Sequence, residues 1–166
     1  MSAGEDAWIG LGSNLDGPTA RVSAAFDALA GLPQTTLVAR SPLYASAPMG
    51  PANQPDYVNA VAHLRTTLAP HALLDELQRL ESEAGRQRTG QRWGGRELDL
   101  DLLAYGDCQC ADARLTLPHV GVGERAFVLR PLSDLAPELE LPRVGSIQAC
   151  LAAVDTSGLR RLRAAV

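Results

Sequence analysis

No lysine occurs among the 15 basic residues of this 166-residue chain. That excludes lysine chemistry and leaves arginine, a permanently charged fork, to meet any phosphate. Cysteine is scarce: Cys108, Cys110 and Cys150 make an odd count without a disulfide framework. The first residues also lack a basic segment followed by an apolar one. The expectation is reduced thiols in a cytoplasmic protein. No apolar run approaches the roughly 20 residues that cross a bilayer, so no membrane partner is expected. Aromatics are only 4% of residues, too few for a base-stacking surface. A net charge of −4 and a pI near 5.3 leave no overall basic footprint, so no nucleic-acid partner is expected either. No internal repeat or long linker is visible.

What is present is 46% hydrophobic content, enough for a sizeable core and one domain over 1–166. Trp8 to Gly12 reads as a short apolar strand running into a glycine turn. Pro18 opens a helix to about Leu29, with Val22, Ala25, Phe26 and Leu29 on one face and Gly31 and Pro33 as the stop. Thr35 to Tyr44 reads as a second strand whose latter part Pro42 pushes to an edge or bulge. Ala47 to Pro55 is a proline-punctuated loop. Tyr57 to Arg65 alternates, with Val58, Ala60, Ala62 and Leu64 on one side and Tyr57, Asn59 and Val61 on the other. A helix from Pro70 through Ala84, ending at Gly85, turns Leu73, Leu74, Leu77 and Leu80 to the core. Gln78 and Glu81 are neighbours on it.

The chain is organised around Arg96 to Leu103, where leucines and carboxylates alternate before an apolar pair closes the run. Asp99 and Asp101 sit roughly 6.6 Å apart along one side, and Leu98, Leu100 and Leu102 point the other way. Two like charges so placed repel unless a hard divalent cation, magnesium above all, lies between them. The alternative is an edge strand with a solvated outer face. Just before it, Arg86, Arg88, Arg92 and Arg96 alternate with glycines and Trp93, as an anion-binding loop or a solvated basic loop would.

Beyond the strand, Cys108 and Cys110 have the spacing of metal ligands, but no second cysteine pair accompanies them, and exposed thiols are the expectation. Arg114 to His119 reads as a short strand and a loop. Gly121 to Leu135 reads as a helical region interrupted near Pro131. His119 is structural or surface by default, and beside Arg125 it is also placed to contact phosphate. A small helix near Ser146 to Val154 and a basic amphipathic tail, Leu159 to Val166, suggest packing only.

Taken together, GLGSNL (Gly10 to Leu15), PMGPANQPDYVNAV (Pro48 to Val61), LLDELQRLE (Leu73 to Glu81), GRQRTGQRWGGRELDLDLLAYGD (Gly85 to Asp107), RLTLPH (Arg114 to His119) and ERAFVLRPLSDLAPEL (Glu124 to Leu139) closely resemble the 6-hydroxymethyl-7,8-dihydropterin pyrophosphokinase family. The resemblance runs in unbroken order over about residues 5 to 150. It implies an α+β, ferredoxin-like sandwich with a four-stranded antiparallel core sheet, helices packed on it and additional C-terminal elements. It implies transfer of the terminal pyrophosphoryl group of ATP, the co-substrate, to 6-hydroxymethyl-7,8-dihydropterin, by a monomer in folate biosynthesis. Asp99 and Asp101 would bind two Mg²⁺ ions, and Arg86 and Arg96 would act on the phosphates during transfer. Gln78, Glu81, Arg88, Leu102, Arg114, Leu115, Thr116, His119 and Arg125 would line the ATP site. Tyr57 and Phe127 would sandwich the pterin, Asn59 would bond its edge, and Ser46 and Met49 would offer backbone groups. Trp93 would close the site over a floor at Gly12. Thr89, Val120 and Ala47 depart from residues common in relatives.

Two rivals remain: a ferredoxin-like phosphate- or RNA-binding module without turnover, and a single-phosphoryl or nucleotidyl transferase using the same metal pair. The scarcity of aromatics counts against RNA, and the identity of the nucleotide product separates the transferases.

Overall fold

Alternation along the first strand divides the molecule into two layers. Ala7, Ile9 and Leu11 enter one core, Trp8 enters another, and Gly10 and Gly12 contribute no side chain to that second side. The computed structural model describes residues 4–14, 17–46, 57–86 and 98–162, with Gly85 and Arg86 as backbone only. In chain order its elements are β1 (Glu5–Ser13), α1 (Pro18–Ala30), β2 (Thr35–Arg40), β3 (Tyr44–Ser46), β4 (Tyr57–Thr66), α2 (Pro70–Arg86), β5 (Asp99–Tyr105), β6 (Cys110–Ala111), β7 (Thr116–Leu117), α3 (Ala126–Leu135), β8 (Glu140–Leu141), β9 (Gly145–Ser146), α4 (Ile147–Ala153) and β10 (Leu159–Arg161). The expected loop at Ala47 to Pro55 lies outside the described residues, as does the expected loop at Arg86 to Gly95 except for its first residue, because α2 continues past Gly85 and ends at Arg86.

The main sheet runs β10-β3-β4-β1-β5, with β2 also paired to β4, and every pairing is antiparallel. It has six strands rather than the four expected. One reason is that Thr35 to Tyr44 is not one strand: it breaks at Pro42, and its two halves pair with different parts of β4. Ser41 bridges the break, its N–H donating to the Val61 carbonyl at 2.9 Å and its hydroxyl accepting from the Val61 N–H at 2.8 Å. The β4 backbone therefore stays satisfied where proline cannot donate. The other reason is the tail. Leu159–Arg161 does more than the packing expected of it: it adds β10 to the edge of β3, pairing Leu159 with Ser46 and Arg161 with Tyr44.

One face of the sheet is covered by α1 and α2. Val22, Ala25, Phe26 and Leu29 from α1 and Leu73, Leu74, Leu77 and Leu80 from α2 pack on Ile9, Leu11, Ala60, Ala62, Leu64, Leu100 and Leu102. On the other face, α3 and α4 pack Val128, Leu129, Leu132 and Ile147 on Trp8, Val61, Leu103 and Ala104. Leu102 and Leu103, the apolar pair that ends the run, take opposite faces as strand alternation requires, and the alternation breaks one residue later. The β1/β5 register shifts between Trp8 and Ile9, opposite Leu103, and this bulge sends both Leu103 and Ala104 into the second core. The helix α3 runs through Pro131 without the expected interruption. One i→i−4 bond is lost there, and the ring is buried against the core instead.

Replacing Leu73, wholly buried on α2, with alanine is expected to cost about 2–5 kcal/mol. Urea unfolding should show a lower midpoint at an unchanged m-value. Val38→Ala, on a side chain half exposed at the edge strand, is expected to stay within about 0.5 kcal/mol of the parent. Equal losses at both positions would contradict this division of the core.

Candidate active site

The second face of β1 is bare where it matters. Gly10 stands opposite Asp101 on β5 and Val61 on β4, while Gly12 stands opposite Asp99 and Asn59. Directly opposed residues share a face, so each row places a carboxylate on one side of a glycine and a β4 residue on the other. Asp99 and Asn59 are thus two strand spacings apart, roughly 10 Å, with no side chain between. A Cβ on Gly12 would fall 3.0 Å from Asn59 Oδ1. That is tighter than an ordinary van der Waals contact, so a side chain there would push on the Asn59 amide.

Over this floor lies a cavity of about 330 Å³, lined by Ser46, Tyr57, Asn59, Asp99, Asp101, Arg125, Phe127 and Val128 with Gly10, Leu11, Gly12 and Ala60. It gathers both members of the carboxylate pair and five of the residues assigned to the pterin: Gly12, Ser46, Tyr57, Asn59 and Phe127. Asn59 Nδ2 donates to Ser46 Oγ at 2.9 Å, which turns Oδ1 over Gly12 as an acceptor. The roof comes from the start of α3, whose first turn holds no acidic residue and no side-chain cap. Such an end favours anionic groups. Tyr44 ties that helix to the sheet: its hydroxyl donates to Asp134 and lies 3.4 Å from Arg130 Nε. Burial, and then the Asp134 carboxylate, push the Tyr44 hydroxyl above its usual pKa, so it remains a donor.

His119 does not line the cavity but lies near Asp101 and Arg125 of its wall; its backbone N–H donates to the Leu103 carbonyl at 2.8 Å, and the Gly121 N–H donates to His119 Nδ1 at 3.1 Å. With Nδ1 accepting, the neutral ring carries its proton on Nε2. Burial holds His119 below the usual histidine pKa. Asp101 opposes that shift and Arg125 adds to it. Arg125 reaches across Gly121, where a Cβ would fall 2.5 Å from Arg125 Nε.

The residues assigned to ATP form a second group. Arg114 Nη2 donates to Asp75 at 2.6 Å and to Gln78 Oε1 at 3.1 Å, tying the turn before β7 to α2. Glu81 Oε2 accepts from the Leu100 N–H at 2.7 Å, which holds edge strand β5 against α2. Leu102 and Leu115 are buried on the α1/α2 side, away from the cavity, so their contribution to a nucleotide would be backbone. Thr116 begins β7. Met49, Arg88, Trp93 and Arg96, and the departures Ala47 and Thr89, lie outside the described residues, as does the side chain of Arg86. Val120 is strongly exposed.

Sequence reasoning missed Gly10, Val128, Asp75 and the Tyr44–Asp134 tie. Gly10 carried a readable signal, since two glycines at i and i+2 strip one face of a strand. The others are long-range partners without a local signature.

Residues 8–137 match the family model described as 7,8-dihydro-6-hydroxymethylpterin-pyrophosphokinase (HPPK). Proteins named 2-amino-4-hydroxy-6-hydroxymethyldihydropteridine pyrophosphokinase are 52% identical in Pseudomonas aeruginosa, covering 93% of this chain and 95% of that one, and 52% identical in Haemophilus influenzae, covering 82% and 84%. The Methylorubrum extorquens relative of the same name is 42% identical over 94% of this chain and 98% of its own. Among solved structures, an HPPK-DHPS in complex with substrates superposes with a TM-score of 0.74 at 11% identity, covering 96% of this chain and 47% of that one. The Plasmodium falciparum HPPK-DHPS with pteroate gives 0.70 at 13%, covering 89% and 42%. The chain thus spans less than half the length of these two structures, and at such identity they bear on the fold alone.

The depressed His119 pKa has a signed consequence. Below about pH 6.5 the unfolded chain binds a proton at this residue that the folded chain resists, so stability falls as pH falls. His119→Asn is expected to flatten the slope of unfolding free energy between about pH 6.5 and pH 5, measured by urea titration in the presence of a chelator. Identical slopes would rule out a half-buried histidine held neutral in the fold.

Proposed function

Because this chain belongs to the 7,8-dihydro-6-hydroxymethylpterin-pyrophosphokinase family, a pyrophosphokinase family of folate synthesis, we propose that the cavity over Gly10 and Gly12 is where its pyrophosphoryl transfer takes place. The reaction moves the terminal pyrophosphoryl group of ATP to the hydroxymethyl oxygen of 6-hydroxymethyl-7,8-dihydropterin and releases AMP. The observation that carries the placement is the row Asp99–Gly12–Asn59. With Asp101 in the next row, opposite Gly10, it supports a reading in which an amide acceptor and two carboxylates share one floor, with room for a bicyclic ring between them.

In this reading Tyr57 and Phe127, which line the cavity, take the two faces of the pterin, and Asn59 Oδ1 accepts from its N–H edge. Ser46 fixes the amide so that the acceptor points inward. The hydroxymethyl group is thereby directed toward Asp99 and Asp101. The pair fits a magnesium site: two hard oxygen donors at i and i+2 on one face, lining one cavity. Two Mg²⁺ ions bound there would neutralise charge on the transferred group and on the departing AMP. The substrate hydroxyl gives up its proton to solvent as its oxygen bonds to the β-phosphorus and the bond from that phosphorus to the α-phosphate oxygen breaks, and no covalent enzyme intermediate is required. His119 Nε2–H and Arg125 are placed to donate to phosphate oxygens, and Arg114, with Gln78, Glu81 and Thr116, to hold the nucleotide. Arg86, Arg88, Arg96, Met49 and Trp93 keep the roles implied by the family resemblance.

The wider expectations rest on similar support. The order β5-β1-β4-β2, with α1 and α2 on one face, favours the ferredoxin-like reading, and the sheet shared from β1 to β10 favours a single domain. Among the described residues no helix is long and apolar enough to cross a membrane. The three cysteines are free, which fits a cytoplasmic protein, and a monomer is what the family resemblance implies.

Incubation with ATP, Mg²⁺ and the hydroxymethyl pterin is expected to yield AMP and pyrophosphorylated pterin in equal amounts. ADP as the nucleotide product would overturn the reading in favour of single-phosphoryl transfer. Asp101→Asn is expected to keep the fold and lower kcat at least about 100-fold, the scale of perturbing a metal site; near-normal turnover would remove the pair from catalysis. For Gly12→Ala, the added methyl displaces Asn59, and the pterin Kd is expected to rise about tenfold, the worth of one hydrogen bond. An unchanged Kd would detach Asn59 from the pterin.

A further inference from the structure

The described residues bring a second set of metal-ligating side chains together, on different elements from the carboxylate pair. His71 is the second residue of α2, Cys110 opens β6, and Asp112 follows in the turn toward β7. One ligand atom from each lies within 4.8 Å of the other two. His71 Nε2 is 2.7 Å from Asp112 Oδ2, and Cys110 Sγ is 4.0 Å from the same oxygen. The carboxylate is oriented by the backbone, since its Oδ1 accepts from the N–H groups of Arg114 and Leu115, both at 2.9 Å. Oδ2 is therefore the oxygen presented to the imidazole and the thiol.

We propose that His71, Cys110 and Asp112 form a site for a borderline transition-metal cation, zinc by chemistry, distinct from the carboxylate pair on β5. The donor set is one nitrogen, one sulfur and one oxygen, which suits a four-coordinate ion with water in the last position. It discriminates against magnesium, a hard ion that prefers oxygen ligands throughout. The His71 and Asp112 side chains are 46% and 48% exposed, so a cation enters from solvent without the fold opening. Rotation of these exposed side chains brings the donors to the roughly 2.0–2.3 Å from the ion that zinc requires. Cys108 is outside the set, which separates this site from a simple Cys-x-Cys ligand pair. His71 supplies the ligand that the cysteine spacing lacked, because the start of α2 packs beside the β6–β7 turn.

The test uses Co²⁺ as a spectroscopic stand-in, added to the metal-free full chain in excess Mg²⁺ and without nucleotide. One equivalent is expected to give a thiolate-to-cobalt charge-transfer band that Zn²⁺ then removes. Cys110→Ser is expected to abolish the band, and Cys108→Ser to keep it. His71→Ala and Asp112→Asn should each weaken Co²⁺ binding at least about tenfold, the lower end of what disturbing a metal site costs. In the unsubstituted chain, Zn²⁺ should protect Cys110, and neither Cys108 nor Cys150, from iodoacetamide, as read by mass spectrometry. Absence of the band, its survival in Cys110→Ser, its loss in Cys108→Ser, or alkylation of Cys110 unaffected by zinc would each overturn the site. None of these readouts depends on pyrophosphoryl transfer, so the two readings fail separately.

Discussion

Two side chains are missing from the middle of a sheet, and the site is built around their absence. β1 has neighbours on both sides, β4 and β5, so the bare positions Gly10 and Gly12 open a trough that other strands must border. The antiparallel register decides what borders it. A slip of one residue would turn Asp99 and Asp101 into the α1/α2 core and Leu100 and Leu102 into the trough. Burying two carboxylates without partners is far costlier than any local preference of the strand. The leucines that pack under α2 therefore also aim the carboxylates.

The two faces divide the work. The α1/α2 side is an apolar layer that includes Val22 and Leu80, and it pins the strands. On the other side α3 covers only part of the sheet, leaving the cavity under its first turn. The position of that helix rests on the core around Leu129 and Leu132 and on the hydroxyl of Tyr44 bonded to Asp134. Tyr44 lies opposite Asn59 on β4, so the strand pair that holds the roof also carries an acceptor at the floor. Phe127 and Asn59 are thus placed by one connected set of contacts.

Charge at the site follows from residue choice. With no lysine in the chain, the basic group in the cavity wall is a forked guanidinium, and Arg125 gains its approach because Gly121 has no side chain in the way. The neutral His119 beside Arg125 and Asp101 is an effect of burial, which outweighs the attraction of the carboxylate. Arg114 is already engaged by Asp75 and Gln78, so a nucleotide would exchange one set of partners for another.

Much of this architecture is legible in the residues alone. The period of two in Glu97 to Leu102 and in Tyr57 to Leu64 assigns side chains to faces, and strand geometry converts that pattern directly into core and trough. The family resemblance supplies roles for Asn59, Phe127 and the carboxylates, and the cavity brings those residues together. Other features need the tertiary structure. The split of Thr35 to Tyr44 depends on Ser41 meeting Val61, and the tail becomes a strand only because β3 offers an unpaired edge. The passage of α3 through Pro131 depends on the core waiting beneath it. Leucine and aspartate alternation determined which side each residue faces, because that follows from the pleat of its own strand. Which distant groups meet, Arg114 with Asp75 or His71 with Asp112, was decided only by how the elements cross, because no local period encodes a partner some 40 residues away.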